Sequence, residues 1–288
     1  MKKLQLSVLA KGFCIGSSML VPGVSGGSMA MILGLYDPLI SSVSSFFKQK
    51  KKSALFLLTF MAGAALGLVL LANPLLSLLE RFPKIVMFFF LGAVAGSVPM
   101  ICKKAEVTKL TGWVILYPVL GFCVLWLFSR LPGQLFSPSA PGIERIFLQA
   151  AGGVLAAVAL VLPGVSVSYM LMLMGIYDDT LQAIAGMQFL ALLPLAVGLV
   201  IGIALSAKLL ERLLHHHPQP TYLLILGFLL GSMAEVFPGV PSAPLEWLLC
   251  CLLLTAGFAA VYHLARKEPE ECDDVVSGSA ACALEAEE

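Results

Sequence analysis

The sequence predicts an all-α polytopic membrane protein built as an inverted repeat, each half comprising one re-entrant helical hairpin and three transmembrane helices. Three observations carry that expectation. Of the 288 residues, 59% are hydrophobic and only 12% are charged, whereas soluble domains run to about 25% charged. A Pro-Gly break among small residues occurs twice. Finally, the lysines and arginines gather on one face of a membrane only if both broken segments turn back.

Apolar runs lie near 6–36, 54–71, 85–101, 111–128, 146–177, 190–209, 222–236 and 245–264. Most are long enough to cross or enter a hydrocarbon core about 30 Å thick. The first run leads into Pro-Gly rather than a small-residue cleavage site, so a classical cleavable signal is not expected. The net charge of +1 hides a division: residues 268–288 carry eight acidic and no basic side chains, which leaves the remainder at +9. That tail is too acidic and too poor in large apolar residues to pack, and is expected to be disordered.

The duplication is read from residues other than the aliphatics. Leu20-Val21-Pro22-Gly23-Val24-Ser25-Gly26-Gly27-Ser28 leads to Gly34, Tyr36 and Asp37; Leu162-Pro163-Gly164-Val165-Ser166-Val167-Ser168 leads to Gly175, Tyr177 and Asp178. Pro22/Pro163, Gly34/Gly175, Tyr36/Tyr177 and Asp37/Asp178 share an offset of 141 residues. Further on the offset becomes 135: Gly63 and Gly67 match Gly198 and Gly202, Pro83 matches Pro218, and Gly96-Ser97 matches Gly231-Ser232. Residues 1–129 therefore form a first repeat, 130–144 a Pro-, Gly- and Ser-rich connection on the outer side, 145–267 a second repeat, and 268–288 the acidic tail.

Positive charge orients these segments, because Lys and Arg accumulate on the cytoplasmic side. With both broken segments as hairpins and the other six crossing, 14 of the 18 basic residues fall inside; only Arg81, Lys84, Arg130 and Arg145 fall outside. Single crossings by the broken segments spread them more evenly. Three crossings then separate the hairpins, which enter from opposite faces, and both chain ends are cytoplasmic. Lys11 to Pro22 is 11 residues, about 16 Å of helix at 1.5 Å per residue, which reaches roughly mid-membrane.

Irregular backbone at that depth is tolerated where it is buried in protein or lines a cavity. A new helix starts after each break, near Ser25 and near Ser166, with first-turn N–H groups lacking helical acceptors and a partial positive charge. Gly26 and Gly27 admit a ligand close to the backbone; Ser25, Ser28, Ser166 and Ser168 add hydroxyls. Two such tips converging from opposite faces suit an anion, phosphate or carboxylate. The alternative is that the small residues only let helices pack closely; two matched tips favour the site.

Lys11 and Arg145 are the expected basic partners of a phosphate. Asp37, Asp178 and Glu235 are candidate ion-coupling carboxylates, although Asp37 and Asp178 read first as C-terminal turn residues and Glu235 as interfacial. The seven cysteines form no CxxC pair and read as small hydrophobes. His215-His216-His217 reads as a solvated polar loop rather than a ligand set. No catalytic group, metal or cofactor is expected.

VPGVSGGSMAMILGLYDPL, with its second copy LPGVSVSYMLMLMGIYDDTL, resembles the bacterial polyprenyl-phosphate transporter family over roughly residues 5–265. The resemblance implies a multi-pass protein of the bacterial plasma (inner) membrane. It implies a flippase that returns undecaprenyl phosphate from the outer to the inner leaflet for cell-wall lipid recycling. By motif match it marks Pro22, Gly23, Ser25, Gly26, Gly27 and Ser28, with Pro163, Gly164, Ser166 and Ser168, as substrate-binding. Val167 and Ser168 replace the two glycines in the second copy, so the tips are not expected to contact phosphate equally.

The implied partners are a polyprenyl phosphate and the bilayer, with proton or sodium coupling open, and no nucleic acid. Two other classes compete. A carrier of a small soluble anion needs the same tips. A membrane lipid phosphatase needs a nucleophile with a base or a metal set, and the four histidines have no paired acidic motif beside them.

Overall fold

A computed structural model describes residues 2–21, 24–46, 48–107, 112–131 and 143–266. Pro22, Gly23, most of the 130–144 connection and the acidic tail lie outside the described residues. Those described form twelve α-helices and no strand. The first six are α1 (Lys2–Ser18), α2 (Gly26–Ile32), α3 (Tyr36–Ser44), α4 (Lys50–Arg81), α5 (Pro83–Lys104) and α6 (Gly112–Ser129). The second six are α7 (Ile143–Val161), α8 (Val167–Leu173), α9 (Tyr177–Ala185), α10 (Leu193–His216), α11 (Pro218–Val236) and α12 (Pro244–Arg266).

The offset of 141 residues recurs in the boundaries of the short helices. The seven-residue α2 and α8 begin and end 141 residues apart, as do the nine-residue α3 and α9. Each short helix is opened by a serine: Ser25 Oγ accepts from the Ser28 N–H at 3.1 Å and Ser166 Oγ from the Tyr169 N–H at 3.4 Å, the N-cap contact that satisfies an orphan donor.

Each is closed by a glycine at φ +68°, Gly34 or Gly175. Leu35 N–H then donates to Ala30 O at 2.9 Å and Ile176 N–H to Leu171 O at 3.1 Å, the six-to-one bond of a Schellman stop. The segment beyond each break is thus two helices rather than one arm. In consequence Asp37 and Asp178 stand in the first turns of α3 and α9, not in the C-terminal turns expected of them. His215 and His216 likewise belong to the last turn of α10, with His217 its cap, rather than to a polar loop.

Among the described residues, seven helices are long and apolar enough to cross a membrane: α4, α5, α6, the Glu144–Val161 part of α7, α10, α11 and the Pro244–His263 part of α12. The protein is a multi-pass helical membrane protein. α7 adds a seventh candidate to the six crossings expected, because its apolar stretch is longer than that of α1.

The long helices pair through glycines spaced i, i+4, which let backbones approach closely where lipid gives no hydrophobic drive to association. α1 lies along α4 in the same direction: a Cβ on Gly63 would fall 2.2 Å from the Leu9 carbonyl oxygen, and one on Gly67 2.0 Å from that of Phe13. α7 lies along α10 in the same way, with Gly198 against Ala150 O at 2.0 Å and Gly202 against Val154 Cα at 2.9 Å. Those four contacts are the repeat equivalents of one another. Two further pairs join the halves, α5 with α12 through Gly92 and Leu254 O at 2.0 Å, and α11 with α6 through Gly227 and Pro118 O at 2.2 Å. α5 and α11 carry the greatest burial of the long helices and form the centre, whereas α4, α6, α10 and α12 present Leu, Ile, Val and Trp outward.

Candidate functional site

The two helix breaks meet. Ser25 Oγ accepts a hydrogen bond from the Gly164 N–H of the other half at 3.0 Å, besides that from Ser28 N–H, and lies 2.7 Å from Ser28 Oγ. Gly27 faces the second break directly, since a Cβ there would lie 3.3 Å from Pro163 Cα. Gly26 faces Met19, whose Sδ would be 3.1 Å from an added Cβ. Val21, Ser28, Pro163 and Gly164 are buried, and Ser25, Gly26 and Gly27 are half-buried.

Gly164 is required twice over at this point. Its φ is +88° and a Cβ would meet Phe228 O of α11 at 2.6 Å. The second break therefore rests on the central helix and offers its amide to Ser25. Two backbone N–H groups converge on one hydroxyl oxygen there, which is the donor geometry an anionic oxygen would use.

Tyr36 adds a second tie between the halves. It is 2% exposed and its hydroxyl donates to Val161 O, the last carbonyl of α7, at 2.8 Å. That carbonyl is one of the four that a helix C-terminus leaves without an intrahelical donor. Sequence reasoning singled out Tyr36 only as a repeat marker; its partner is 125 residues away, beyond any local signal.

The other candidates are distributed around the tips. Ser166 and Ser168 are exposed, and Tyr169 between α8 and α6 donates to Phe128 O at 2.6 Å. Lys11 is half-buried in the middle of α1. Arg145, in the first turn of α7, pairs with Asp179 at 2.8 Å. Neither basic residue is brought into the meeting point of the breaks.

Asp178 is exposed. Glu235, at the end of α11, accepts from Ser129 Oγ at the end of α6. Asp37 is the most engaged of the three carboxylates: its Oδ2 is bonded by Lys104 Nζ of α5 and by Tyr222 OH of α11, the latter at 3.0 Å. A regular buried serine pair completes the core, Ser97 Oγ to Val94 O at 2.7 Å and Ser232 Oγ to Leu229 O at 2.8 Å.

Apolar helices paired through glycine, with two helix breaks in contact at the centre, define a multi-pass helical membrane protein. Residues 15–243 match the model of a family described as undecaprenyl phosphate translocase-like, and the chain belongs to that family. It is 32% identical over 272 residues to the polyprenyl-phosphate transporter of Staphylococcus aureus, covering 90% of this chain and 95% of that protein. It is 28% identical over 310 aligned positions to the polyprenyl-phosphate transporter of Vibrio cholerae, covering 91% and 96%. No solved structure matches the chain.

Proposed function

We propose that this protein transports polyprenyl phosphate across the bacterial plasma membrane, returning undecaprenyl phosphate from the outer to the inner leaflet, with the phosphate held where the two helix breaks meet. The observation that carries the reading is the pair of N–H groups, Gly164 from one half and Ser28 from the other, aimed at Ser25 Oγ. A phosphate oxygen taking the place of that hydroxyl receives donors from both halves. Fixed backbone donors lower the cost of desolvating the headgroup, while the prenyl tail stays in lipid.

Re-entrant hairpins and an inverted repeat belong to this reading, and the helix directions support both. α1 and α4 run in the same direction, and only residues 45–49 join α3 to α4, so the first hairpin starts and finishes at one end. α1 closes at Ser18, two residues past Gly16, which packs on Ala64 near the middle of the 32-residue α4 rather than at its far end. Phe82 joins α4 to α5, and Lys84 at the start of α5 bonds Val240 O at 3.2 Å, ahead of α12. Traced through α11 and α10, α7 then starts at the end opposite to α1.

In the mechanism inferred, the halves rock about the joined breaks and expose the phosphate to each leaflet in turn. The Ser25–Gly164 and Tyr36–Val161 bonds are the contacts such rocking must remake. An ion gradient, proton or sodium, would act through Asp37, Asp178 or Glu235. The relatives carry the names of transporters, which favours transport over phosphatase chemistry.

Leaflet exchange of undecaprenyl phosphate in vesicles, with wild type beside Ser25→Ala/Gly27→Leu, tests the reading. Exchange by wild type and its loss in a folded variant support it. Transport of small anions instead, or phosphate release from the lipid, overturns it.

A further inference from the structure

Lys104 and Tyr222 form a second anion-binding arrangement, away from the helix breaks. Lys104 closes α5 and Tyr222 lies in the first turns of α11, so the two central helices each supply one donor. Both donors converge on one oxygen, Asp37 Oδ2, and the Lys104 ammonium also lies 5.8 Å from the centre of the Tyr222 ring. An ammonium and a phenol hydroxyl aimed at one anionic oxygen are donors that a phosphomonoester oxygen can accept from in the same way.

Asp37 fills this arrangement incompletely. Its other oxygen, Oδ1, is buried and has no hydrogen-bond partner, so the carboxylate carries an unrecovered desolvation cost. The pair is not sealed, with side-chain exposures of 33% for Lys104 and 26% for Asp37. A phosphate dianion brings twice the charge to Lys104 and can displace the carboxylate.

The arrangement has no twin in the other half. At the repeat offset of 135, Lys104 corresponds to Gly239 and Tyr222 to Met87, while Asp178 is exposed. The duplication has been abandoned at this one end, where a directional task would need it to be.

We propose that Lys104 and Tyr222 form a receiving site for a phosphomonoester at the inner end of the helix bundle, kept closed by Asp37 until the phosphate displaces its carboxylate. This rests on the transport reading for the direction of travel, but the site itself is defined by its donors. In operation, the headgroup leaves the joined breaks, takes Lys104 and Tyr222 from Asp37, and departs as the carboxylate returns.

The test is equilibrium binding of undecaprenyl phosphate to the full-length protein in vesicles, with inorganic phosphate as a parallel probe. Asp37→Asn removes a competing charge and is expected to tighten lipid binding about 5-fold, while Lys104→Met weakens it about 10-fold and Tyr222→Phe about 3-fold. The double variant Asp37→Asn/Lys104→Met should bind as Lys104→Met alone, since the gain requires the freed lysine. Melting temperatures separate binding from folding, and Asp37→Ser replaces Asp37→Asn if the latter fails to fold.

Unchanged or weaker binding by a folded Asp37 variant overturns the proposal, as does a gain that persists without Lys104. If wild type neither binds nor exchanges the lipid, the transport reading fails on its own. The inorganic-phosphate arm then decides the site: tighter binding in Asp37→Asn keeps it as a soluble-anion site, and no change removes it.

Discussion

The two helix breaks share a motif and a local structure but not an environment. Ser25 caps its helix and also holds the amide of Gly164, whereas Ser166 caps its helix and is otherwise exposed. Tyr36 is buried and bonds the end of α7, while Tyr177 at the same repeat position is half-buried and makes no hydrogen bond among the described residues. Asp37 is engaged by two helices and Asp178 is exposed. What the duplication preserves is backbone geometry set by neighbours in sequence; what it lets diverge is contact between halves. In the transport reading proposed above, those unequal contacts are the ones that the two access states would exchange.

The comparison is broken most severely where the halves agree. Gly63→Leu and Gly198→Leu each drive a side chain into a backbone carbonyl within 2.2 Å. Each is expected to cost about 3 kcal/mol or to prevent folding, equally in both halves, as read by yield and thermal unfolding in detergent. Unequal losses would mean that the two helix pairs do not carry equivalent loads.

Serine caps should separate the halves. Ser25→Ala leaves the Gly164 and Ser28 amides without their acceptor and is expected to cost about 2 kcal/mol and slow lipid exchange at least ~10-fold. Ser166→Ala loses a cap alone, with a cost nearer 1 kcal/mol and exchange within about 2-fold of wild type. Similar losses from both would erase the proposed asymmetry.

Much of this was legible in the sequence, and the reason is range. Helix starts are local: Ser25 and Ser166 as openers follow from the residues beside each break, and the stops at Gly34 and Gly175 are just as local, although the sequence reading uses those glycines only as repeat markers. The offset of 141 is reproduced at both ends of α2/α8 and α3/α9, and that of 135 where α4 and α10 end and α5 and α11 begin. The division of each outgoing arm into two helices was missed, though the glycine of Gly-x-Tyr-Asp announces it as a left-handed stop.

Gly12 and Gly153, also 141 apart, were overlooked among the aliphatics, although Gly12-x-x-x-Gly16 beside Gly63-x-x-x-Gly67 is a helix-packing signature. The bonds that distinguish the halves were not legible. Tyr36 to Val161 and Asp37 to Lys104 and Tyr222 join residues 67 to 185 positions apart, and no periodicity encodes them.

Two smaller effects sharpen the contrast further. Tyr36→Phe orphans a helix-terminal carbonyl and should lower stability by about 1 kcal/mol, whereas Tyr177→Phe should stay within about 0.5 kcal/mol; chemical or thermal unfolding in detergent separates them. Gly34→Ala and Gly175→Ala place a side chain at φ +68° and should each cost about 1 kcal/mol, restoring equality between the halves because the stop is local in both.

The central claim is that one phosphate is shared by both helix breaks. The most direct measurement is photo-cross-linking of wild-type protein with a polyprenyl phosphate that carries its reactive group beside the phosphate, followed by peptide mapping. Cross-links to both 24–28 and 163–169, suppressed by excess unlabelled lipid, are the expected result. Cross-links confined to the lipid-facing helices α4 and α10, with neither break labelled, would contradict it.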